Sequence, residues 1–274
     1  MSSDKPPIID VHCHAFYIPD KPTMQVPHGL PYPSSYEEYK EKCLQYFREY
    51  NMIAVPSGAA TQDWYQTAPD IIIPGAEVIT KPEDMPIDKL RKQHEEGKLK
   101  VLSELVFQYS GIAPNDPEYD PYYALADELD LPVVLHIGII PPGGAYTFCP
   151  NHRARLESPL LVEDVLMKYP DVRFDVAHAG WPMLDEMLAL LFHHPQVFCD
   201  VSTIDWFIPK KEFHRYLQRL VEAGFGDRVM YGSDQMMWPD AIPLSVEWIE
   251  SAEFLSDKQK RDIFYNNAKR FLEL

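Results

Sequence analysis

Residues 8–17, "IIDVHCHAFY", place two histidines two positions apart directly after an apolar run. A β-strand repeats its side-chain direction every second residue, so His12 and His14 project from one face while Val11 and Cys13 project from the other. Joint ligation of a metal is open to such a pair. Two imidazoles do not complete a zinc site, which needs about four ligands, so the reading turns on what ends the later strands.

Outward from this run, short β-branched stretches recur at Met52 to Pro56, Ile71 to Pro74, Val101 to Phe107, Val133 to Ile137, Val172 to Ala177, Val197 to Val201 and Arg228 to Tyr231. Between them lie helical patterns such as "SSYEEYKEKCLQYFREY", "IDKLRKQHEEG", "DPYYALADELD", "SPLLVEDVLMKYP", "WPMLDEMLALLFHH" and "PKKEFHRYLQRLVEAG", several opening with Ser, Asp or Pro. The weakest is "GAATQDWYQTAPD", which is short for a full helix. Strands alternating with helical crossovers, with no break in composition, predict an α/β fold. The expectation is one (β/α)8 TIM barrel domain over residues 1–274, elaborated by proline-rich loops and by C-terminal helices in "PLSVEWIESAEFLSD" and "DKQKRDIFYNNAKRFLEL". A doubly wound sheet is the alternative, but no GxGxxG turn follows an early strand.

Charge narrows the partners. The chain carries 25 Lys and Arg against 42 Asp and Glu, a net of -17, which argues against nucleic acid or an anionic membrane as the main partner. No basic N-terminal segment leads into an apolar stretch and cleavage site, and no apolar run approaches the roughly 18–20 residues of a membrane span. A soluble, cytoplasmic protein is expected. Cys13, Cys43, Cys149 and Cys199 form no CxxC pair and read as reduced thiols, with Cys13 in core packing. The 26 prolines cluster in "FYIPDKPTMQVPHGLPYP" and "GIIPPGGAYTFCP", which read as long ordered loops.

In a barrel of this kind, chemistry sits at the carboxyl ends of the strands. The polar residues expected there are His12, His14, Glu104, His136 in "PVVLHIG", His178 in "FDVAHAG" and Asp234 in "VMYGSDQ". Each has an ordinary reading: a core histidine bonded to backbone, or an aspartate capping a turn. Histidine is only 10 of 274 residues, so its recurrence at the ends of several strands favours a shared site. Imidazole nitrogen with carboxylate oxygen suits a borderline metal.

The stretches "IDVHCHAF", "PVVLHIG", "SPLLVEDVLMKYPDVRFDVAHAGW", "VFCDVS", "RVMYGSDQMMWP" and "NNAKRFLEL" resemble the amidohydrolase superfamily, in its amidohydrolase-related branch with aminocarboxymuconate-semialdehyde decarboxylase-like enzymes. The resemblance spans essentially the whole chain. It implies that His12, His14, His136 and Asp234 hold a divalent metal and that His178 lies beside it, touching substrate or water. Zinc suits this ligand set best, with manganese, cobalt or iron as alternatives. Two-metal relatives often carry a carboxylated lysine where this chain has Glu104, which favours a single metal. Glu104 is then a bridging ligand, an acceptor that fixes a histidine tautomer, or a buried carboxylate paired with a cation.

The leading reading is metal-dependent hydrolysis of a small amide, lactone or related carbonyl compound, with Asp234 moving the proton and His178 orienting water or the carbonyl. The first alternative is non-oxidative decarboxylation of a small carboxylic acid, aromatic acids included, for which Arg153 and Arg155 in "NHRARLE" offer an anchor. A second alternative is a non-catalytic metal-binding barrel. No serine stands in a GxSxG setting, so a serine hydrolase is disfavoured. Trp181, Trp206 and Trp238, with the segment from Phe16 to Ser34, are candidates to wall a substrate pocket. A small-molecule partner is implied, and homo-oligomerisation stays open because large barrels commonly associate.

Overall fold

Parallel strands form where the β-branched runs occur. The computed structural model describes residues 5–22, 26–138 and 140–274, so part of the expected pocket segment, residues 23–25, lies outside the described residues. The strands are β1 (Ile8–His14), β2 (Met52–Ser57), β3 (Leu102–Leu105), β4 (Val133–Leu135), β5 (Phe174–Val176), β6 (Val197–Asp200) and β7 (Val229–Met230). The helices are α1 (Tyr36–Glu49), α2 (Thr61–Thr67), α3 (Ile87–Glu95), α4 (Asp120–Leu129), α5 (Glu163–Lys168), α6 (Leu184–His193), α7 (Lys210–Leu220), α8 (Ala241–Glu250), α9 (Asp257–Arg261) and α10 (Asn267–Phe271). Among the described residues no helix is long and apolar enough to cross a membrane. The chain divides into two compact units, Met1–Pro74 with Val201–Leu274, and Gly75–Asp200.

In the first unit, β1 pairs in parallel with β2, from Ile8 opposite Met52 to His14 opposite Ser57. Its other edge is taken by the segment that begins with β7: Val11 N–H donates to Tyr231 O at 3.1 Å and Asp234 N–H to His12 O at 2.7 Å. Every residue of β1 is buried. The expected strand from Ile71 to Pro74 is reduced to a single bridge, Ile72 to Ala54. Pro74 has no N–H to carry the ladder further. The outer layer follows helical periodicity: α1 buries Tyr39, Cys43 and Phe47 at four-residue spacing. Its start is capped by the Ser35 side chain, which accepts Glu38 N–H at 3.1 Å. The short stretch doubted as a helix forms α2, because Trp64 is buried against Tyr39 and Phe47, with ring centres 5.5 and 6.1 Å away.

In the second unit, β3, β4, β5 and β6 pair in parallel in that order, through Leu102 with Val133, Val133 with Phe174 and Phe174 with Val197. Parallel neighbours need a crossover, and α4, α5 and α6 supply the three. Tyr122, Tyr123, Leu125 and Ala126 of α4 and Met187, Leu190 and Leu191 of α6 are buried. The strands end earlier than expected. Phe107 already belongs to a tight turn, Phe107–Ser110, and Ala177 opens another, Ala177–Gly180.

One buried carboxylate ties β1 to the segment beside it. Asp10 Oδ1 accepts the N–H of Ser233 at 2.9 Å and of His12 at 3.3 Å. Burial pushes this carboxyl up to about 7, against the lowering effect of its bonds to Ser233 and His12. Gly232 fits the same seam, because a Cβ there would lie 2.8 Å from His12 Cβ and 3.0 Å from Ser202 Cβ. Replacing Asp10 with Ala strands the Ser233 N–H and is expected to cost about 1–3 kcal/mol, read as a lower urea midpoint with an unchanged slope. Asp10→Asn keeps an acceptor oxygen and is expected to lose less.

Candidate metal centre

His12 and His14 stand two and four positions past Asp10, so the two-residue repeat of the strand brings all three polar side chains to one face of β1. Their rings lie 5.4 Å apart, edge to face. A serine hydroxyl meets Nδ1 of each ring: Ser202 Oγ lies 3.1 Å from that of His12, and Ser57 Oγ 2.9 Å from that of His14. Nε2 is then the nitrogen a cation would take. For His14 that atom sits 2.9 Å from Asp234 Oδ1. The other carboxylate oxygen of Asp234 accepts from the Thr203 hydroxyl.

Gln235 grips the same strand end from the next position. Its Oε1 accepts His14 N–H at 3.0 Å, and its Nε2 donates to His14 O at 2.6 Å and to the Tyr39 hydroxyl at 3.0 Å. Tyr39 in turn donates to His14 O at 2.5 Å. Cys13 is fully buried as core packing, and burial pushes its thiol well up.

In the second unit, Glu104, His136 and His178 form a buried group whose ligand atoms all lie within 4.8 Å of one another. His136 Nδ1 is 2.8 Å from Glu104 Oε1 and 3.2 Å from His178 Nε2. Gln108 donates its amide to His136 O, and Asp200 Oδ1 accepts His178 N–H at 3.1 Å. His178 at φ 57°, Thr203 at φ 60° and Asp234 at φ 36° all occupy the left-handed region that non-glycine residues rarely adopt. Such strain persists where the surroundings over-determine it, and it gathers at functional positions.

These donors fit a divalent cation. Atoms coordinated at about 2.0–2.2 Å to one ion lie about 3 Å from each other. That is the spacing of the His14–Asp234 pair, at 2.9 Å, while the ligand atoms of Glu104, His136 and His178 lie within 4.8 Å of one another. Imidazole nitrogens mixed with carboxylate oxygens are a borderline-metal set.

The remaining sequence-derived candidates are placed differently. Arg153 and Arg155 are exposed, and the Arg153 guanidinium donates to the carbonyls of Pro150 and His152 in its own loop, at 2.9 and 2.6 Å. Trp206 is fully buried and donates Nε1–H to Ser233 O at 2.7 Å, a packing role. Trp238 is buried with its ring 5.9 Å from Tyr32, and Trp181 is half-buried. Sequence reasoning passed over Ser57, Ser202, Thr203 and Gln235. Only Gln235 carried a signal, as the immediate neighbour of Asp234.

Solved structures share this architecture. An uncharacterised TIM-barrel protein from Bordetella bronchiseptica superposes with a TM-score of 0.68 at 17% identity, covering 97% of this chain and 98% of that one. A probable 2-pyrone-4,6-dicarboxylic acid hydrolase from Acinetobacter baumannii, with citric acid bound, gives 0.66 at 16% identity, covering 97% and 99%. A 5-carboxyvanillate decarboxylase from Novosphingobium aromaticivorans, complexed with manganese and a nitrobenzoic acid, gives 0.58 at 16%, covering 84% and 79%. No curated protein matches. The fold is thus the α/β TIM-barrel fold. The amidohydrolase family model matches residues 9–274, and the chain belongs to that family.

The serine hydroxyls give a direct test. Ser57→Ala and Ser202→Ala release one ring each, and each is expected to weaken metal binding about 10–100-fold in a chelator competition while leaving the thermal transition nearly unchanged.

Proposed function

We propose that the chain is a single-domain, metal-dependent hydrolase of a small amide or lactone, using one zinc ion held by His12, His14, His136 and Asp234. The observation that carries this reading is the two-sided grip on Asp234, with one oxygen at His14 Nε2 and the other at the Thr203 hydroxyl. A bound divalent ion supplies Lewis acidity, polarising a carbonyl oxygen and making a water acidic near neutral pH. Asp234, fixed by two partners, takes the proton released as water adds to the carbonyl carbon and returns it to the departing nitrogen or oxygen. His178, steadied by Asp200 at its backbone, orients the carbonyl. Glu104 holds the His136 ring through Nδ1.

A second reading, non-oxidative decarboxylation of an aromatic acid, draws support from the manganese-bound decarboxylase above and from an aromatic rim near His136. The Tyr109 ring centre is 5.2 Å from that of His136 and 6.0 Å from that of the exposed Phe148.

Zinc-loaded protein assayed against lactones, amides and aromatic carboxylic acids separates the two. The hydrolase reading expects acid release from lactones or amides with no carbon dioxide, and a fall of about 10²–10⁴-fold in Asp234→Asn with metal still bound. Carbon dioxide release from an aromatic acid without hydrolysis would overturn it in favour of the lyase.

A further inference from the structure

The loop after β4 holds a buried histidine–carboxylate pair that the proposed reaction leaves unused. His152 Nε2 lies 2.8 Å from Glu157 Oε1, and both side chains are buried. Glu157 Oε2 accepts the N–H of Gly138 at 3.1 Å, two residues beyond His136. A carboxylate only accepts hydrogen bonds, so Nε2 of His152 carries a hydrogen, and in the neutral ring Nδ1 is the acceptor. Among the described residues, no hydrogen bond or ion pair engages that nitrogen.

Two contacts place this pair at the same end of the sheet as His136. The Tyr109 ring centre lies 5.2 Å from that of His136 and 6.4 Å from that of His152. Gly111, at φ +84°, lets the loop after β3 press on the loop that carries His152: a Cβ there would lie 2.9 Å from Asn151 Cβ and 3.0 Å from Asn151 O. The half-buried Tyr109 and exposed Phe148 form an aromatic edge beside the pair. Stapling a loop needs no buried charge, because apolar side chains of similar volume serve as well or better. A carboxylate that fixes one imidazole nitrogen while the other stays open is the arrangement of a proton acceptor.

We propose that His152 is a base for a small aromatic ligand bearing an acidic O–H, with Glu157 as its positioning residue. The Nδ1–H bond forms as the ligand O–H bond breaks, the electron pair stays on the ligand oxygen, and Glu157 stabilises the imidazolium. The proposal rests on the reading that ligands enter at the His136 end.

The test uses 4-nitrophenol, whose phenolate has its own absorbance band, added to zinc-loaded protein at a pH where the free probe is neutral. The proposal expects a phenolate band on binding, a loss of about tenfold or more in bound phenolate for His152→Gln, and a smaller loss for Glu157→Gln, which keeps an acceptor but removes the charge. If His152→Gln does not fold, Glu157→Gln carries the comparison. A wild-type band unchanged in the variants, or no band at all, overturns the proposal. Zinc content, measured on the same samples, reports separately on the metal reading: protein that binds no zinc yet shows the His152-dependent band defeats that reading and leaves this one standing.

Discussion

Everything at the end of β1 depends on which imidazole nitrogen is already committed. His14 stands opposite Ser57 in the parallel register, and that pairing delivers the serine hydroxyl to Nδ1 at 2.9 Å. Ser202 does the same for His12 at 3.1 Å. With both rings held through Nδ1, Nε2 is the nitrogen each would offer a cation, and neither ring turns without breaking a buried bond. The pleat places the rings on one face; the hydroxyls decide their orientation.

The backbone around these side chains is arranged at some cost. Thr203, Asp234 and His178 hold left-handed conformations, and each such residue costs on the order of 1–3 kcal/mol. Compensation comes from buried hydrogen bonds: Asp10 takes two backbone N–H groups, and Gln235 closes on both backbone groups of His14. A segment that contains strained residues needs such clamps, and here they come from polar side chains that are themselves buried.

Much of this was legible in the sequence because it is local. The β-branched runs marked the strand positions, and the one that shrank to a bridge did so at a proline. The two-residue alternation of His12 and His14, and the polar residues at strand ends, marked the candidate ligands. The hydroxyls were not legible. Serine is common, and the partners of His14 and His12 lie 43 and 190 positions away, so only the assembled sheet reveals them. Charge misdirected attention in "NHRARLE": the arginines stand out in the sequence, yet Arg153 binds its own loop while His152 and Glu157 turn inward. Trp206 was open to either role until its indole N–H was seen on the Ser233 carbonyl.

The central claim is that the ligands carried by the family resemblance serve one ion. Anomalous scattering from a crystal of zinc-loaded protein, measured on both sides of the zinc edge, tests it most directly. The account predicts one peak, about 2.0–2.2 Å from His12, His14 and His136 nitrogens and from an Asp234 oxygen. A peak that omits Asp234 or either β1 histidine, or a peak elsewhere in the molecule with none at these residues, would contradict it.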